Sequence, residues 1–318
     1  MPAAAAGVFI GPMIVAAFAL ALAAPPHPDC SAAFERLRTG GAVEAVFVAQ
    51  VAYARADAGD GTPRWFLIDT GANRSALDSG VARALNLPDE GGTEVEGTAG
   101  VVRAGSTTVE RFTLGDLTAR LSPTVSDLSG LAGPNGEPVA GILGSDLFGR
   151  SVVVLDFERS RVALAPAGEA SRTAASCGRG VAMGDDNGIP RVEAEVDGRP
   201  LALRYDSGAA IFDSPYLWVN LSERQFEAVR GDRPASPPIQ TLGGGGTGGS
   251  LSLPVHMGST FRLGELEWRE PRLIVQPRQG YFARDTAVGF IGNAAFRSFG
   301  LLVIDYPGGR LTVPPAQP

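Results

Sequence analysis

The sequence predicts a β-rich chain of two similar halves, and three observations carry that expectation. Its 318 residues are 44% apolar, enough for two modest domains or one larger β-rich one. Its 42 Gly and 24 Pro favour many turns over long helices. The strongest observation is a repeat. "RWFLIDTGANRSAL", from Arg64, runs an apolar strand into Asp69, Thr70, Gly71 and Ala72, and "GRPLALRYDSGAAIFDSP", from Gly198, runs another into Asp206, Ser207, Gly208 and Ala209. The parallel continues downstream, where "AGILGSDLFGRSVVVLDFERSRVALAP" from Ala140 matches "VGFIGNAAFRSFGLLVIDYPGGRLTVPP" from Val288. In each copy a buried-type strand ends in glycine, Gly144 or Gly292, and a β-rich run then closes on Asp156 and Arg161 or on Asp305 and Arg310. The order of motifs is the same in both copies. At roughly 130 to 140 residues, each copy is longer than a solenoid repeat and the size of a small domain.

From the N-terminus, residues 7–24 form an apolar run ending in Ala21-Leu22-Ala23 before the polar, Pro-rich "PPHPDC". An export signal has this pattern, although no Lys or Arg precedes the run. Either the segment is a cleaved signal and the protein is periplasmic or secreted, or it stays as an N-terminal membrane anchor. No other segment reads as a membrane span. Cys30 and Cys177 suit one disulfide in an oxidising compartment, pinning the N-terminal segment to the link between the halves; the alternative is two unpaired thiols.

Composition removes several function classes. The net charge is −7, all 27 basic residues are Arg, and none forms a basic block, so nucleic acid and anionic membranes are poor partners. Without Lys there is no Schiff base and no phosphate-loop lysine. His27 lies in the Pro-rich leader and His256 stands alone in "LPVHMGS", which reads as a strand or loop rather than a ligand set. A serine or cysteine triad lacks its motifs, and a zinc site lacks ligands. No cofactor or metal is expected. Carboxylates are the acid and base groups that remain.

A third Asp-Ser-Gly, at 78–80, serves as a control. It precedes "VARALNL", whose apolar positions suit a short helix, so Asp78 or Ser79 reads as an N-cap. What distinguishes the other two copies is the strand before them, the alanine after them and the partnered glycine motif.

With "DTGA" at 69–72 and "ILG" at 142–144, then "DSGA" at 206–209 and "FIG" at 290–292, the chain resembles the retropepsin/pepsin-type aspartic proteases in their single-chain, two-lobe form. The resemblance implies an all-β, bilobal fold: two β-barrel-like lobes related by a pseudo-twofold axis, with an active cleft between them. It implies a signal peptide at 1–24, a leader at 25–41, an N-terminal lobe at 42–168, a linker at 169–180 and a C-terminal lobe at 181–316. It makes Asp69 and Asp206 the catalytic pair. Thr70 and Ser207 would interlock the two loops, Gly71, Gly208, Ala72, Ala209, Gly144 and Gly292 would support them, and a peptide or protein substrate would lie in the cleft of a monomer. Two carboxylates held together share one proton, so one can activate water while the other polarises the scissile carbonyl. The alternative is a peptide-binding relative that does not cleave.

The family places a mobile hairpin, the flap, between the Asp and glycine motifs. "EVEGTAGVVRAG", residues 94–105, alternates like a hairpin with its turn over Gly97, Thr98, Ala99 and Gly100. The pepsin-type flap tyrosine is missing from it, as it is from retropepsins. In the second half "TLGGGGTGGSLSL", with Gly243, Gly244, Gly245 and Gly246, is either a second flap or a disordered surface loop. Arg204 and Tyr205 stand before Asp206 where an apolar pair is expected; Arg204 either faces solvent or lies near the dyad and lowers its pKa.

Overall fold

The computed structural model describes residues 30–210, 216–234 and 236–315. Residues 1–24, read as an export signal, and His27 lie outside the described residues. The expected bilobal, all-β architecture is what the chain forms. Each lobe is built on the same small unit, and six strands at one end of a 15-stranded sheet join the two.

In the N-terminal unit, the strand Pro63–Ile68 pairs in parallel with Val139–Leu143, which pairs antiparallel with Ala76–Asp78. The C-terminal unit repeats this with Arg199–Tyr205, Gly289–Ile291 and Trp218–Ser222. The strand ending at the glycine motif is thus wedged between the strands that enter and leave the Asp turn. Its last carbonyls, Leu143 O and Ile291 O, accept from the N–H of Asp69 and Asp206, each at 2.9 Å. Both exit strands run into a capped helix. Asp78 accepts from the backbone of Gly80 and Val81 to start Ser79–Ala84, as read from the sequence, and Ser222 forms a capping box with Gln225 to start Glu223–Arg230.

The joining sheet runs Arg179–Ala182, Arg310–Val313, Leu301–Asp305, Ser151–Asp156, Arg161–Pro166, Ala42–Val48. At its centre Val154 opposes Val303, one strand from each half. These strands are apolar at consecutive positions because both faces are covered. Val153, Leu155, Val162, Leu302, Ile304 and Leu311 point into the main core. Val152, Val154, Ala163, Leu301 and Val303 point the other way, against Phe34 and Leu37 of the helix Cys30–Thr39 and Ala170 and Ala174 of the helix Glu169–Cys177. A fully buried aliphatic side chain contributes about 1.5–3 kcal/mol, so this second face holds two short helices that would not persist alone.

Each helix also satisfies one buried carboxylate of the sheet. Arg38 donates to both oxygens of Asp156 at 3.0 Å, and Ser171 donates to Asp305 at 2.9 Å. Cys30 and Cys177 are joined, with Cα atoms 5.3 Å apart, so the disulfide staples the two helices together. Cys30–Thr39, part of the segment expected as a leader, is therefore packed into the body of the protein. Among the described residues no helix is long and apolar enough to cross a membrane.

Candidate active site

The two Asp-(Thr/Ser)-Gly turns meet at the pseudo-twofold axis. Thr70 N–H donates to Ser207 Oγ at 2.9 Å, and Ser207 N–H donates to Thr70 Oγ1 at 2.9 Å. Each hydroxyl then donates across the axis to the strand end of the opposite lobe: Thr70 to Tyr205 O at 3.1 Å and Ser207 to Ile68 O at 2.8 Å. Both hydroxyl residues are fully buried. A hydrogen bond in such a place contributes about 1 kcal/mol net, but losing one partner strands the other. The four bonds therefore fix the loops as a unit.

The two aspartate carboxyls lie beside this lock, each against the opposite loop. Asp69 accepts from Gly71 N–H at 2.8 Å and Asp206 from Gly208 N–H at 2.9 Å. Each also packs against the opposite glycine: a methyl on Gly71 would collide with the Asp206 carboxylate, and one on Gly208 with Asp69. Only glycine lets the two acids approach, which is the physical reason for the third letter of each motif. The carboxyls hydrogen-bond to each other. Burial pushes Asp69 above the usual carboxylate range despite that bond and the backbone donors. Burial pushes Asp206 further, and the negative charge of Asp69 adds to it. Two carboxyls this close do not both ionise cheaply, which favours a shared proton.

The remaining supporting residues are where the motif places them. Ala72 and Ala209 donate from their backbone to Asp69 O and Asp206 O, each at 3.3 Å. Gly144 N–H donates to Ser75 Oγ at 3.0 Å, and Gly292 lies against Ala209.

Both hairpins form regular strand pairs. The first pairs Thr93–Glu96 with Val101–Ser106, and its tip is Gly97 to Gly100, closed by Gly97 N–H to Gly100 O at 2.8 Å. The second pairs Gln240–Gly246 with Gly249–Met257. It is a flap-like hairpin anchored by Leu251 and Leu253 in a cluster with Trp218, Val255 and Ile274. Gly243, Gly244, Gly245 and Gly246 line its first strand, and its turn is Thr247-Gly248. The tips touch: Ala99 N–H donates to Thr247 O at 3.2 Å.

Three features are not evident from the sequence. A loop of the second half latches the first hairpin, with Tyr281 N–H to Gly97 O at 2.9 Å and Arg284 Nε to Glu96 Oε1 at 3.1 Å. Tyr205 turns inward, its hydroxyl donating to Asn293 Oδ1, while Asn293 Nδ2 reaches Gln50 O at 2.6 Å in the other lobe. Arg204 is neither free in solvent nor directed at the dyad to lower its pKa: its Nε donates to Asp186 Oδ2 at 2.7 Å and its guanidinium lies 4.1 Å from the Tyr281 ring centre. The one sequence signal for these was strand alternation, which sends neighbours Arg204 and Tyr205 to opposite faces. His256 lies in the Gly249–Met257 strand beside Phe226, and no metal-holding cluster occurs among the described residues.

Comparison with known proteins agrees with this geometry. No curated protein matches the chain. The family model described as aspartyl protease matches residues 54–147, which contain the strand into Asp69, the Thr70-Gly71 turn, the first hairpin and the glycine motif at Gly144. Through that stretch, and on that stretch alone, the chain is similar to the aspartyl protease family.

Proposed function

We propose that the protein is an exported, monomeric aspartic endopeptidase that hydrolyses peptide bonds with water activated between Asp69 and Asp206. The observation that carries this reading is the reciprocal lock of Thr70 and Ser207, which brings one carboxyl from each lobe together. Asp69, ionised, takes a proton from the attacking water; Asp206 gives its proton to the carbonyl oxygen as the tetrahedral intermediate forms. No covalent intermediate with the enzyme is needed. The tips of both hairpins close over an extended peptide, and the Cys30–Cys177 disulfide suits an oxidising compartment outside the cytosol.

The test is peptide cleavage by the purified protein. Asp69→Asn and Asp206→Asn should each lower kcat by about 10³-fold or more, and the double variant should be no worse than either single one, because the pair acts as a unit. Binding of peptide without cleavage by the wild type would make the protein a noncatalytic relative.

A further inference from the structure

We propose that the cleft is chemically asymmetric about the dyad: on the C-terminal side, Arg204, Asp186 and Tyr281 form a polar subsite for a substrate side chain ending in hydrogen-bond-accepting oxygen, a carboxylate above all. The inference rests on the protease reading above.

The pseudo-twofold that exchanges Asp69 and Asp206 also exchanges the walls on the two sides of the bond to be cut. Along each dyad strand, alternate residues share a face. In the N-terminal unit, Phe66 and Ile68 point into the main core, leaving Trp65 and Leu67 on the face that carries Asp69. Leu67 clusters there with Val51, Tyr53 and Val139, and Trp65 and Ile142 pack around them. That wall is apolar around Leu67, with the Arg55 guanidinium lying 4.3 Å from the ring centre of Trp65 farther along the strand.

In the C-terminal unit, Leu203 and Tyr205 are fully buried in the core, so Arg204 shares a face with Asp206. It occupies the place of Leu67. Its register neighbours are Phe290, in the place of Ile142, and Arg191, in the place of Tyr53. Its side chain keeps 17% of its exposure and that of Asp186 keeps 34%, so neither is sealed in the core.

The guanidinium has five N–H donors, and Asp186 takes the one on Nε. Among the described residues neither Nη has an acceptor. Tyr281 holds the plane of the fork from one side, while its own backbone N–H holds the tip of the first hairpin. The fork is therefore oriented and charge-balanced, with donors left over beside the loop that holds the first hairpin. Such a site rejects an aliphatic side chain, which would strand those donors, and rewards a planar oxygen pair that accepts from both Nη groups.

The experiment is a mass-spectrometric map of the bonds cut in a proteome-derived peptide mixture by wild type, Arg204→Leu and Asp186→Asn. Wild type should show an apolar preference on one side of the scissile bond. On the other side it should prefer Glu, Asp, Gln or Asn over Leu by about tenfold or more. Arg204→Leu should invert the polar position while leaving the apolar one unchanged. Asp186→Asn, which removes the competing carboxylate, should strengthen the preference for Glu and Asp. Should Arg204→Leu not fold, the Asp186→Asn shift still decides. A folded Arg204→Leu with the wild-type profile at both positions, or an Asp186→Asn profile that does not move toward acids, overturns the subsite while leaving the protease reading intact. A wild type that cuts nothing overturns both.

Discussion

The meeting of Asp69 and Asp206 was legible at single residues because each stands in the same repeated setting: a strand, a hydroxyl residue and a glycine that admits the partner carboxylate. The structure adds a thermodynamic consequence. Both carboxyls are held above their ordinary range, by burial first and at Asp206 also by the charge of Asp69. A carboxyl raised on folding binds more protons in the native than in the unfolded state, so its effect is harmless below the unfolded value near pH 4 and destabilises increasingly as pH rises toward the folded one. Asp206→Asn should therefore raise the melting temperature above wild type at pH 7 and much less at pH 4. Parallel melting curves for the two proteins from pH 4 to 8 would contradict a strained pair. On the protease reading, the same shift sets the activity profile. With Ala72 and Ala209 after the turns, no side-chain hydroxyl follows them to favour ionisation, so a bell centred at about pH 5 to 6 is expected. Ala209→Thr should move its alkaline limb down, and a wild-type rate still climbing at pH 9 would exclude a shared proton. Arg204 shows the limit of single-residue reading, since alternation gave its face but Asp186 and Tyr281 come from segments far apart in the chain.

At the scale of elements, the first hairpin was readable because its alternation and its small turn residues agree. The second was ambiguous because glycine carries no pattern. What orders it lies outside the glycine run, in Leu251 and Leu253 on the returning strand and in the tip-to-tip contact with the first hairpin. That contact is tight at Gly248, where φ is +107° and a side chain would run into the backbone of Gly100. Gly248→Ala should separate the tips and lower kcat/KM by about tenfold, with KM rising, since the closed cover is built from both. The melting temperature should change little, because the tip is exposed. A variant with wild-type kcat/KM would show that the cover does not need the contact. The latch from Arg284 to Glu96 is more than half exposed on the arginine side and is a weaker restraint.

At the scale of the molecule, the duplication predicted two lobes but not what welds them. The strands of the joining sheet were visible as apolar runs ending at Asp156 and Asp305, yet nothing local says that Val154 meets Val303, because that pairing is set by the axis through the dyad. The helices Cys30–Thr39 and Glu169–Cys177 were equally hidden: their apolar faces are short, and only packing on the second face of the joining sheet makes them stable. The disulfide was the one long-range constraint that composition disclosed, and its position gives it a specific task. It closes 147 residues between the helix that starts the described chain and the helix between the lobes, so both helices leave the sheet together or not at all. Restricting the unfolded chain over such a loop contributes about 4 kcal/mol in the chain-entropy account. Replacing both cysteines by serine should lower the melting temperature by about 5–10 °C. The loss should begin at the helices: amides of 30–39 and 169–177 should exchange with solvent faster than those of the dyad strands, because the lobes keep their own cores while Val152, Val154 and Val303 lose their cover. Thermal melts and hydrogen exchange on the double variant make the check. An unchanged melting temperature with both helices still protected would show that their packing on the sheet, and not the disulfide, holds them in place.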